Sequence, residues 1–459
     1  MCPEWRFGIP CLDDNSQEDQ LITDGSIRVN PGLAAMARAH GPWLLLLAAC
    51  AAVVIMRRPD VILNPQFWAE DGKIWFANAH NLGAWHSLFL PQNGYLQTVS
   101  RLVAAGATLL PMRHAPLVFN LAAILVQVLP VMLLNSARGR ALVPSLPARI
   151  VLSVLYIAQP YTTEVHANLT NAQWHLAVSA ALVCCFDSWK REWRAAFDLG
   201  LVALSGVSGP FCILLLPGVA WLAYRRRDRR TAWLLAVLVA CAAIQLSLAV
   251  PQMGVSRAVA PLGATWQGFM RIAGGQVTLA ALFGDAWTHV YLLPAWRTGV
   301  VLPLLATLFG VGVLLRAVRT GGDAMISFVA FALLVLVAAM LSPQLSSTAQ
   351  WVTWEVPHAG ERYSFVPILG FYVALLSVAG RDRIRAMRWL VAGMVACAIL
   401  VAIPLSWGIR PFQDLAYPEH VGEYERARPG DVVRIPINPP GWFMELRKPT
   451  GIDELPESR

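Results

Sequence analysis

Long apolar runs alternate with short polar gaps along the chain, and this pattern predicts a bundle of membrane-crossing helices. A helix needs roughly 20 residues to span the hydrocarbon core, so we expect the shorter runs to extend into their polar flanks. The eleven runs lie near residues 41–57, 116–135, 150–160, 173–187, 196–207, 210–224, 231–250, 298–316, 324–341, 364–380 and 389–408. Ser205-Gly-Val-Ser-Gly-Pro210 interrupts the stretch 195–224 and predicts a pair of short helices there. The predicted fold class is an all-α polytopic membrane protein with about 11 transmembrane helices.

Basic residues are distributed unevenly among the gaps, and this distribution orients the predicted crossings. The gaps rich in Arg and Lys are 138–149, 190–194, 225–230, 316–319 and 381–388. The intervening short gaps differ, since 161–172 has no Lys or Arg and 342–362 has only Arg362. By the positive-inside rule the basic gaps are cytoplasmic, which places the N-terminus inside and the C-terminal tail outside. Arg57 and Arg58, just outside the first crossing, are an exception that the rule does not explain.

The remaining segments define the expected domains. We expect a cytoplasmic N-terminal tail over 1–40 with Met36 as an alternative initiator, a membrane domain over 41–408 and an extracytoplasmic tail over 409–459. The membrane domain includes a large first extracytoplasmic loop, 57–115. The stretch 96–110 in this loop predicts an amphipathic helix on the outer leaflet, because a crossing there would reverse the sides of the basic gaps. A strand-like stretch, Val432–Ile437, indicates that the tail forms a small appendage.

Composition agrees with a membrane protein and excludes several other classes. The chain is 56% hydrophobic and 14% charged, whereas soluble domains carry about 25% charged residues. The net charge of +8 comes mostly from the Arg clusters between apolar runs, so it does not predict a nucleic-acid partner. The cysteines show no metal-ligand spacing, and the chain has no Walker, GxSxG, HExxH or dinucleotide motif. These absences argue against an ATP-driven pump and against hydrolases of those kinds.

An acidic pair, Glu70 and Asp71, lies early in the large outer loop between aromatic residues. Adjacent carboxylates can provide a general base or hold a divalent cation. Asp71 and Glu70 are therefore the candidate catalytic residues, and they are also the candidate ligands of a metal, should the site use one. The alternative interpretation is that they begin a helix, where negative charge suits the dipole.

Two further polar clusters lie in predicted outer gaps, and we expect both to bind substrate. The segment 161–175 offers amide, carboxylate, imidazole and indole groups suited to sugar hydroxyls. Its candidates are Glu164, His166, Asn168, Asn171, Gln173, Trp174 and His175. The second cluster is Glu361, Arg362 and Tyr363, at the start of the penultimate crossing. A guanidinium here can bind a phosphate, and the alternatives are an ion pair with Glu361 or an interfacial snorkel.

Other charged residues are weaker candidates. Arg101, on the predicted amphipathic helix, is a candidate contact for a lipid headgroup or a lipid-phosphate substrate. The segment 251–297 predicts a surface or re-entrant segment that shapes a groove. The remaining weaker candidates are Arg257, Arg271, Asp285, His289 and Arg297.

The order of these features resembles the GT-C superfamily of integral membrane glycosyltransferases, which includes lipid A aminoarabinose transferases and protein mannosyltransferases. Three features are similar. One helix precedes a long outer loop that opens with an acidic pair, and a short helix pair lies around 205–217. The segment 94–111 has the position of the juxtamembrane helix in that family. The resemblance covers roughly residues 41–235 in order. Asn93-Gly94-Tyr95-Leu96 stands where that family usually has a Pro-Pro-Leu-Tyr-like sequence.

The resemblance implies a glycosyltransferase in a bacterial inner membrane. It implies a polyprenyl-phosphate-linked sugar as donor and an envelope glycan, lipid or protein as acceptor, on the extracytoplasmic side. Asp71 or Glu70 would activate the acceptor hydroxyl, and Arg362 would stabilise the leaving phosphate, with inversion at the anomeric carbon. The alternatives are a transporter or flippase of lipid-linked sugars and an O-antigen-type polymerase. Polar clusters in outer loops, without an internal repeat, favour an enzyme over a transporter.

Overall fold

The computed structural model describes residues 31–187, 189, 191–250, 260–345 and 348–450. Contacts divide the chain into two compact units, Met1–Leu45 and Leu46–Arg459. The described part is mostly helical, with one antiparallel pair of strands. The tail that begins at residue 409 belongs to the same compact unit as the helices from Leu46 onward.

The described chain forms 22 α-helices and two strands. The helices are α1 (Pro31–Arg57), α2 (Asp60–Leu63), α3 (Ala77–Asn81), α4 (Ala84–Ser87), α5 (Thr98–Ala107), α6 (Ala115–Asn135), α7 (Leu146–Ile157), α8 (Ala172–Cys185), α9 (Glu192–Gly206), α10 (Phe211–Arg226), α11 (Arg229–Ala249), α12 (Trp266–Arg271), α13 (Ala280–Phe283), α14 (Trp287–Leu292), α15 (Pro294–Arg297), α16 (Val301–Thr320), α17 (Asp323–Leu341), α18 (Gln350–Trp354), α19 (Glu361–Arg381), α20 (Arg385–Cys397), α21 (Ile403–Leu405) and α22 (Tyr417–Arg426). The strands are β1 (Val432–Ile437) and β2 (Trp442–Arg447). Wider π turns occupy Asp71–Phe76, Ile272–Leu279 and Ala398–Ala402, and 3₁₀ turns occupy Met112–His114, Ala137–Ala141, Thr163–Val165 and Gly284–Ala286.

Seven helices among the described residues are long and apolar enough to cross a membrane. They are His40–Arg57, Met112–Asn135, Arg229–Ala249, Val301–Thr320, Asp323–Leu341, Glu361–Arg381 and Arg385–Leu405. The other four predicted crossings are also helical, but α7, α8, α9 and α10 have only 12, 14, 15 and 16 residues. The predicted break between α9 and α10 is present, since α9 ends at Gly206 and α10 begins at Phe211. The polytopic, mostly helical fold is therefore confirmed, whereas the count of 11 remains a prediction.

Ion pairs at one end of the helical bundle involve residues from four of the five basic gaps and Asp198, which follows the fifth gap, 190–194. Asp198, near the start of α9, pairs with Arg138 after α6 and with Arg230 at the start of α11. Arg225 at the end of α10 pairs with Asp323 at the start of α17. A further pair joins Arg316, near the end of α16, to Asp382, just after α19. The gaps that the charge pattern predicts on one side thus meet in the folded chain.

Contacts at the opposite end of the bundle explain why Arg57 and Arg58 are an exception to the positive-inside rule. The Arg57 guanidinium donates hydrogen bonds to the backbone oxygens of Trp407, Ile157 and Ser406, at 3.1, 3.3 and 3.2 Å. Arg58 donates to Ala167 O at 3.3 Å, and its guanidinium lies 3.9 Å from the centre of the Phe412 ring. Both side chains are buried. These arginines bind protein carbonyls at the end of α1, which is why they do not follow the topological rule.

Helix α5 forms within the predicted amphipathic segment of the outer loop. Leu102 on this helix is exposed, whereas Val99 and Ala104 are buried. Arg101 lies on the buried face, 5.0 Å above the ring of Trp75. The sequence predicts that Arg101 contacts a lipid headgroup or a lipid-phosphate substrate. In the structure α5 packs this side of the helix against the segment Asp71–Phe76, and Arg101 is 1% exposed.

The C-terminal hairpin, β1–β2, packs against the acidic loop. Ile435 and Ile437 of β1 are buried on one face, as expected for a strand with one covered side. The turn that follows β1 is attached directly to the loop, because Ala69 N donates to Asn438 O at 2.5 Å and Asn438 N donates to Phe67 O at 3.1 Å. The strand matches the predicted stretch, and the expected appendage lies against the candidate catalytic pair.

We predict that Asp198→Asn destabilises the fold strongly. Its carboxylate is fully buried between two arginines, and breaking a buried pair costs about 3–5 kcal/mol because a guanidinium then lacks its counter-charge. Chemical unfolding of the purified protein in detergent measures this loss. Asp323→Asn is the matched control, since its pair with Arg225 is partly exposed, at 31% and 51%, and such pairs contribute about 0–1 kcal/mol. Equal losses in the two variants would contradict the prediction.

Candidate functional site

A cavity of about 570 Å³, here called the outer cavity, lies at the end of the bundle opposite the basic gaps. All three predicted polar clusters contribute to its wall. The described residues that line it are Trp68, Ala69, Glu70, Asn93, Tyr95, Gln97, Glu164, Thr170, Asn171, Gln173, Trp174, Pro210, Phe211, Leu214, Val335, Ala338, Ala339, Ser342, Gln344, Arg362, Tyr363, Pro439 and Trp442. Its volume is in the range of small-molecule sites.

One wall of the outer cavity is apolar and comes from two helices. Phe211 and Leu214 belong to the first turn of α10, and Val335 and Ala339 belong to the last turns of α17. The rest of the lining carries amides, carboxylates and a guanidinium, and it comes from the loops and from the first turns of α8 and α19. The cavity therefore offers an apolar surface beside a polar one.

Glu70 and Asp71 are adjacent in sequence but differ in environment. Ala69, immediately before them, has φ +44°, a left-handed conformation that costs a non-glycine residue about 1–3 kcal/mol. The hydrogen bond from Ala69 N to Asn438 O holds this conformation. A π turn then begins at Asp71. Glu70 lines the outer cavity, whereas the Asp71 side chain is 1% exposed and does not line it.

The Asp71 carboxyl connects the acidic loop to the segment 161–175. It accepts hydrogen bonds from Leu169 N at 3.2 Å and from the Thr170 hydroxyl at 2.8 Å. Thr170 Oγ1 in turn accepts from the Trp75 indole at 3.3 Å. Burial raises the pKa of Asp71 to about 7, and the two hydrogen bonds oppose this shift. Asp71 can therefore hold two loops together near neutral pH without carrying a full charge.

Arg362 provides the only guanidinium among the described residues that line the outer cavity. Its Nη1 lies 3.1 Å from Glu164 Oε2, and its Nη2 donates to Gln344 O at 2.7 Å. The expected alternative, an ion pair with Glu361, is absent. Glu361 instead accepts from Thr163 N at 2.6 Å and contacts His358 Nδ1 at 2.9 Å. These contacts hold Arg362 against the cavity as a fixed cationic group.

The predicted residues of 161–175 divide into two groups. Glu164, Asn171, Gln173 and Trp174 line the outer cavity. His166, Asn168 and His175 lie behind it and are buried. Their partners belong to the protein: His166 contacts Val54 O at 2.9 Å, Asn168 donates to Glu164 O at 2.7 Å, and His175 contacts Val165 O at 2.9 Å.

The environment of His166 favours the neutral imidazole. Burial lowers its pKa well below the usual value, and the nearby Arg57 and Arg58 lower it further. Gln127 Nε2 lies 3.3 Å from Nδ1. The histidine therefore supports the loop behind the cavity as an uncharged group.

Two cavity-lining side chains have buried polar atoms without a hydrogen-bond partner among the described residues. They are Gln173 Oε1 and Trp174 Nε1. Buried polar groups are nearly always hydrogen-bonded, and an exception calls for an explanation. An acceptor and a donor on neighbouring residues can bind one hydroxylated ligand.

Several cavity-lining residues were not predicted as site residues. The additional polar and aromatic ones are Trp68, Asn93, Tyr95, Gln97, Thr170, Phe211, Ser342, Gln344 and Trp442. Trp442 follows a turn-forming Asn-Pro-Pro-Gly sequence, and Asn93 begins an Asn-Gly pair. These signals indicate turns, but only the fold brings the turns to the cavity.

The other candidates lie away from the outer cavity among the described residues. Arg271 forms an ion pair with Glu355 at 3.0 Å. The Asp285 carboxylate accepts from the Ser406 hydroxyl at 2.8 Å and lies 3.8 Å from His358 Nε2. The remaining candidates Arg101, His289, Arg297 and Glu361 do not line the cavity. Arg257 lies outside the described residues.

No group of three or more His, Cys, Asp or Glu residues that could hold a metal ion occurs in the described part of the chain. Glu70 lines the cavity, while Asp71 is buried and hydrogen-bonded to Leu169 and Thr170. The two predicted metal ligands therefore do not face the cavity together. The site presents a carboxylate, an anchored guanidinium and amide groups, which suit proton abstraction and the binding of a hydroxylated, phosphate-bearing ligand.

We predict that Asp71→Asn removes part of the pH dependence of stability. The raised pKa means that the folded chain keeps a proton that the unfolded chain releases. Stability should therefore fall as pH rises from about 4 to about 7, by about 1.4 kcal/mol per pH unit, and level off above that. Asparagine cannot ionise, so this slope should be missing from the variant.

Thermal unfolding of detergent-purified protein at several pH values measures this difference. The midpoint of wild type should fall more between about pH 5 and about pH 7 than that of Asp71→Asn. Asp414→Asn, at an exposed position, should follow the wild type. If the unfolding midpoints of wild type and Asp71→Asn changed with pH in parallel, burial would not raise the pKa of the Asp71 carboxyl.

Comparison of the chain with family models, with curated proteins and with solved structures gives no match. The resemblance to integral membrane glycosyltransferases therefore remains a prediction from the sequence.

Proposed function

We propose that this protein is a membrane glycosyltransferase of the GT-C type that transfers a sugar from a polyprenyl-phosphate donor to an envelope glycan, lipid or protein. The observation that carries the proposal is one cavity in which Glu70, Arg362 and an apolar wall from α10 and α17 lie together. A lipid-phosphate sugar has a matching set of parts, namely a reactive carbon, an anionic phosphate and an apolar chain.

We further propose eleven crossings in a bacterial inner membrane, with the N-terminus in the cytoplasm and the outer cavity on the extracytoplasmic side. The ion-paired basic gaps at one end of the bundle support this orientation, since basic gaps face the cytoplasm. The cavity lies at the other end. Helices α10 and α17 supply its apolar wall, so a lipid chain can reach the site along the bilayer.

In the proposed reaction Glu70 is the general base. Its carboxylate takes the proton of an acceptor hydroxyl as that oxygen attacks the anomeric carbon of the donor. The bond between this carbon and the phosphate oxygen breaks, and the electron pair leaves with the polyprenyl phosphate. A single displacement of this kind inverts the anomeric configuration.

Arg362 stabilises the charge on the leaving phosphate. Glu164 and Gln344 O fix the guanidinium before substrate binds, so little reorganisation is required during the reaction. Asp71 acts through position, because it is buried and holds Leu169 and Thr170 beside the acidic loop. Of the two predicted catalytic carboxylates, the cavity lining favours Glu70.

The alternatives, a flippase of lipid-linked sugars and an O-antigen-type polymerase, predict different products. A flippase leaves the donor intact and moves it across the membrane. A polymerase joins lipid-linked oligosaccharide units. Mass spectrometry of envelope glycans with and without the gene separates these cases, because loss of the transferase removes one sugar from an otherwise complete product.

We predict that Glu70→Gln abolishes sugar transfer while the protein still inserts and folds. Loss of a general base lowers the rate by about 10²–10⁴-fold. Release of polyprenyl phosphate from a panel of polyprenyl-phosphate hexoses and pentoses, by protein in nanodiscs with cell-envelope extract as acceptor, measures this loss. Glu423→Gln on α22 is the matched control, since that side chain is 55% exposed and lies outside the cavity lining. Full activity of Glu70→Gln would reject Glu70 as the base.

We also predict that Arg362→Lys lowers kcat/KM for the donor, because the guanidinium stabilises the charge on the leaving phosphate. A lysine cannot contact Glu164 and Gln344 while also presenting a planar donor pair to phosphate. Hydrogen bonds to charged groups contribute about 1.5–3 kcal/mol, so kcat/KM should fall about 10- to 100-fold. Arg434→Lys on the exposed face of the hairpin should leave this ratio unchanged. An unaltered ratio in Arg362→Lys would mean that the guanidinium does not bind the phosphate.

A further inference from the structure

The outer cavity is lined by two groups of residues with different chemistry. In the first, here called the lipid end, Trp174 packs against Phe211 with 4.8 Å between ring centres and lies 6.1 Å from Tyr363. Arg362 and the apolar wall belong to this end. The second, here called the hairpin end, is formed by Trp68 with Pro439 and Trp442 from the C-terminal hairpin.

The two indoles of the hairpin end are held by the protein on one side. Trp68 stacks on Phe412, with 4.8 Å between ring centres and an angle of 13°, and its backbone bridges to Asn438. The Lys73 ammonium lies 4.7 Å from the centre of a Trp442 ring. Both side chains are still partly exposed and line the cavity. They form a preformed aromatic surface rather than a closed core.

The charges that line the cavity favour one phosphate and no second anion. The acidic and basic residues in its described lining are Glu70, Glu164 and Arg362, so the formal balance is one negative charge. The one guanidinium belongs to the lipid end and is already paired with Glu164. The hairpin end contributes indole rings and a proline. An anionic acceptor there would lie near the Glu70 carboxylate, and the cation at this end, Lys73, lies outside the lining and against the Trp442 ring.

We propose that the hairpin end is the acceptor subsite and that the acceptor is an uncharged carbohydrate whose ring stacks on Trp442. This inference rests on the proposed transferase function and specifies the acceptor class. An indole offers a large, rigid apolar surface that suits the less polar face of a sugar ring. Trp442 is therefore a specificity-determining residue, and the C-terminal hairpin is part of the binding site.

Saturation-transfer NMR on the full chain in nanodiscs tests the subsite without a donor. The probes are maltotriose, which is neutral, and trigalacturonate, a trisaccharide that carries carboxylates. Maltotriose should receive saturation from the wild-type protein, and Trp442→Ala should weaken its apparent Kd about 3- to 10-fold, since the stacking contact is lost. Trp442→Phe should recover most of the affinity. Trp85→Ala is the matched control, because Trp85 lies in the same outer loop, is 75% exposed and does not line the cavity.

The outcomes separate the inference from the proposed function. Failure of maltotriose to bind wild type, or equal binding by wild type and Trp442→Ala, would overturn the acceptor subsite. Stronger binding of trigalacturonate, lost in Lys73→Gln, would show an anionic acceptor instead. Trp68→Ala should also weaken maltotriose binding. Because Trp68 belongs to the acidic loop, this second variant tests the subsite without changing the hairpin, which could misfold in Trp442→Ala. The donor-release assay reports on transfer independently, so loss of the subsite would leave the assignment of Glu70 standing.

Discussion

The candidate site depends on one buried carboxyl group, that of Asp71. Its hydrogen bonds to Leu169 and Thr170 join the first outer loop to the segment between α7 and α8. These two hydrogen bonds are the direct polar connection that Asp71 makes between the acidic pair and the amide-rich segment. A full negative charge in this position would be expensive, and burial raises the pKa of the group to about 7. The contact therefore does not need a full charge on Asp71, and the buried Arg58 lies close enough to interact with this carboxyl electrostatically.

The few charges of the chain serve separate purposes. At one end of the bundle, carboxylates such as Asp198 pair with arginines from several gaps and hold the helix ends together. At the other end, Arg57 and Arg58 bind backbone oxygens and keep the loops attached to α1. A third set, Glu70, Glu164 and Arg362, provides the charged side chains among the described residues that line the outer cavity.

Much of the fold could be predicted from the sequence, because apolar runs and breakers act locally. Each predicted run contains a helix, the break before Pro210 is present, and β1 coincides with the strand-like stretch. The three polar clusters could be predicted because polar side chains beside a membrane are energetically unfavourable and usually have a function. Their convergence on one cavity could not be found, since it requires pairing between distant loops, such as Arg362 with Glu164.

The sequence also could not predict which residues of each cluster face the cavity and which are buried behind it. Nothing local distinguishes Glu70 from Asp71, because the choice depends on the left-handed Ala69, which is held by Asn438 from the far end of the chain. The same applies to His166, which pattern alone makes a ligand but which binds Val54 O behind the wall. Glu70 precedes the π turn that begins at Asp71, so the tertiary contact that sets the backbone at Ala69 also selects the carboxylate that faces the cavity.

Tertiary hydrogen bonds also pre-organise the electrostatics of the cavity. Behind the wall, burial keeps His166 neutral and leaves Asp71 only partly charged near neutral pH. The field inside the cavity is then set mainly by Glu70, Glu164 and Arg362, with the last two held together. In the proposed transfer, the Glu70 carboxylate and a guanidinium already fixed by its neighbours would need little rearrangement as charge moves from the acceptor to the leaving group. The hairpin completes this arrangement, because its Asn438 sets the backbone that presents Glu70 and its Trp442 closes the same cavity.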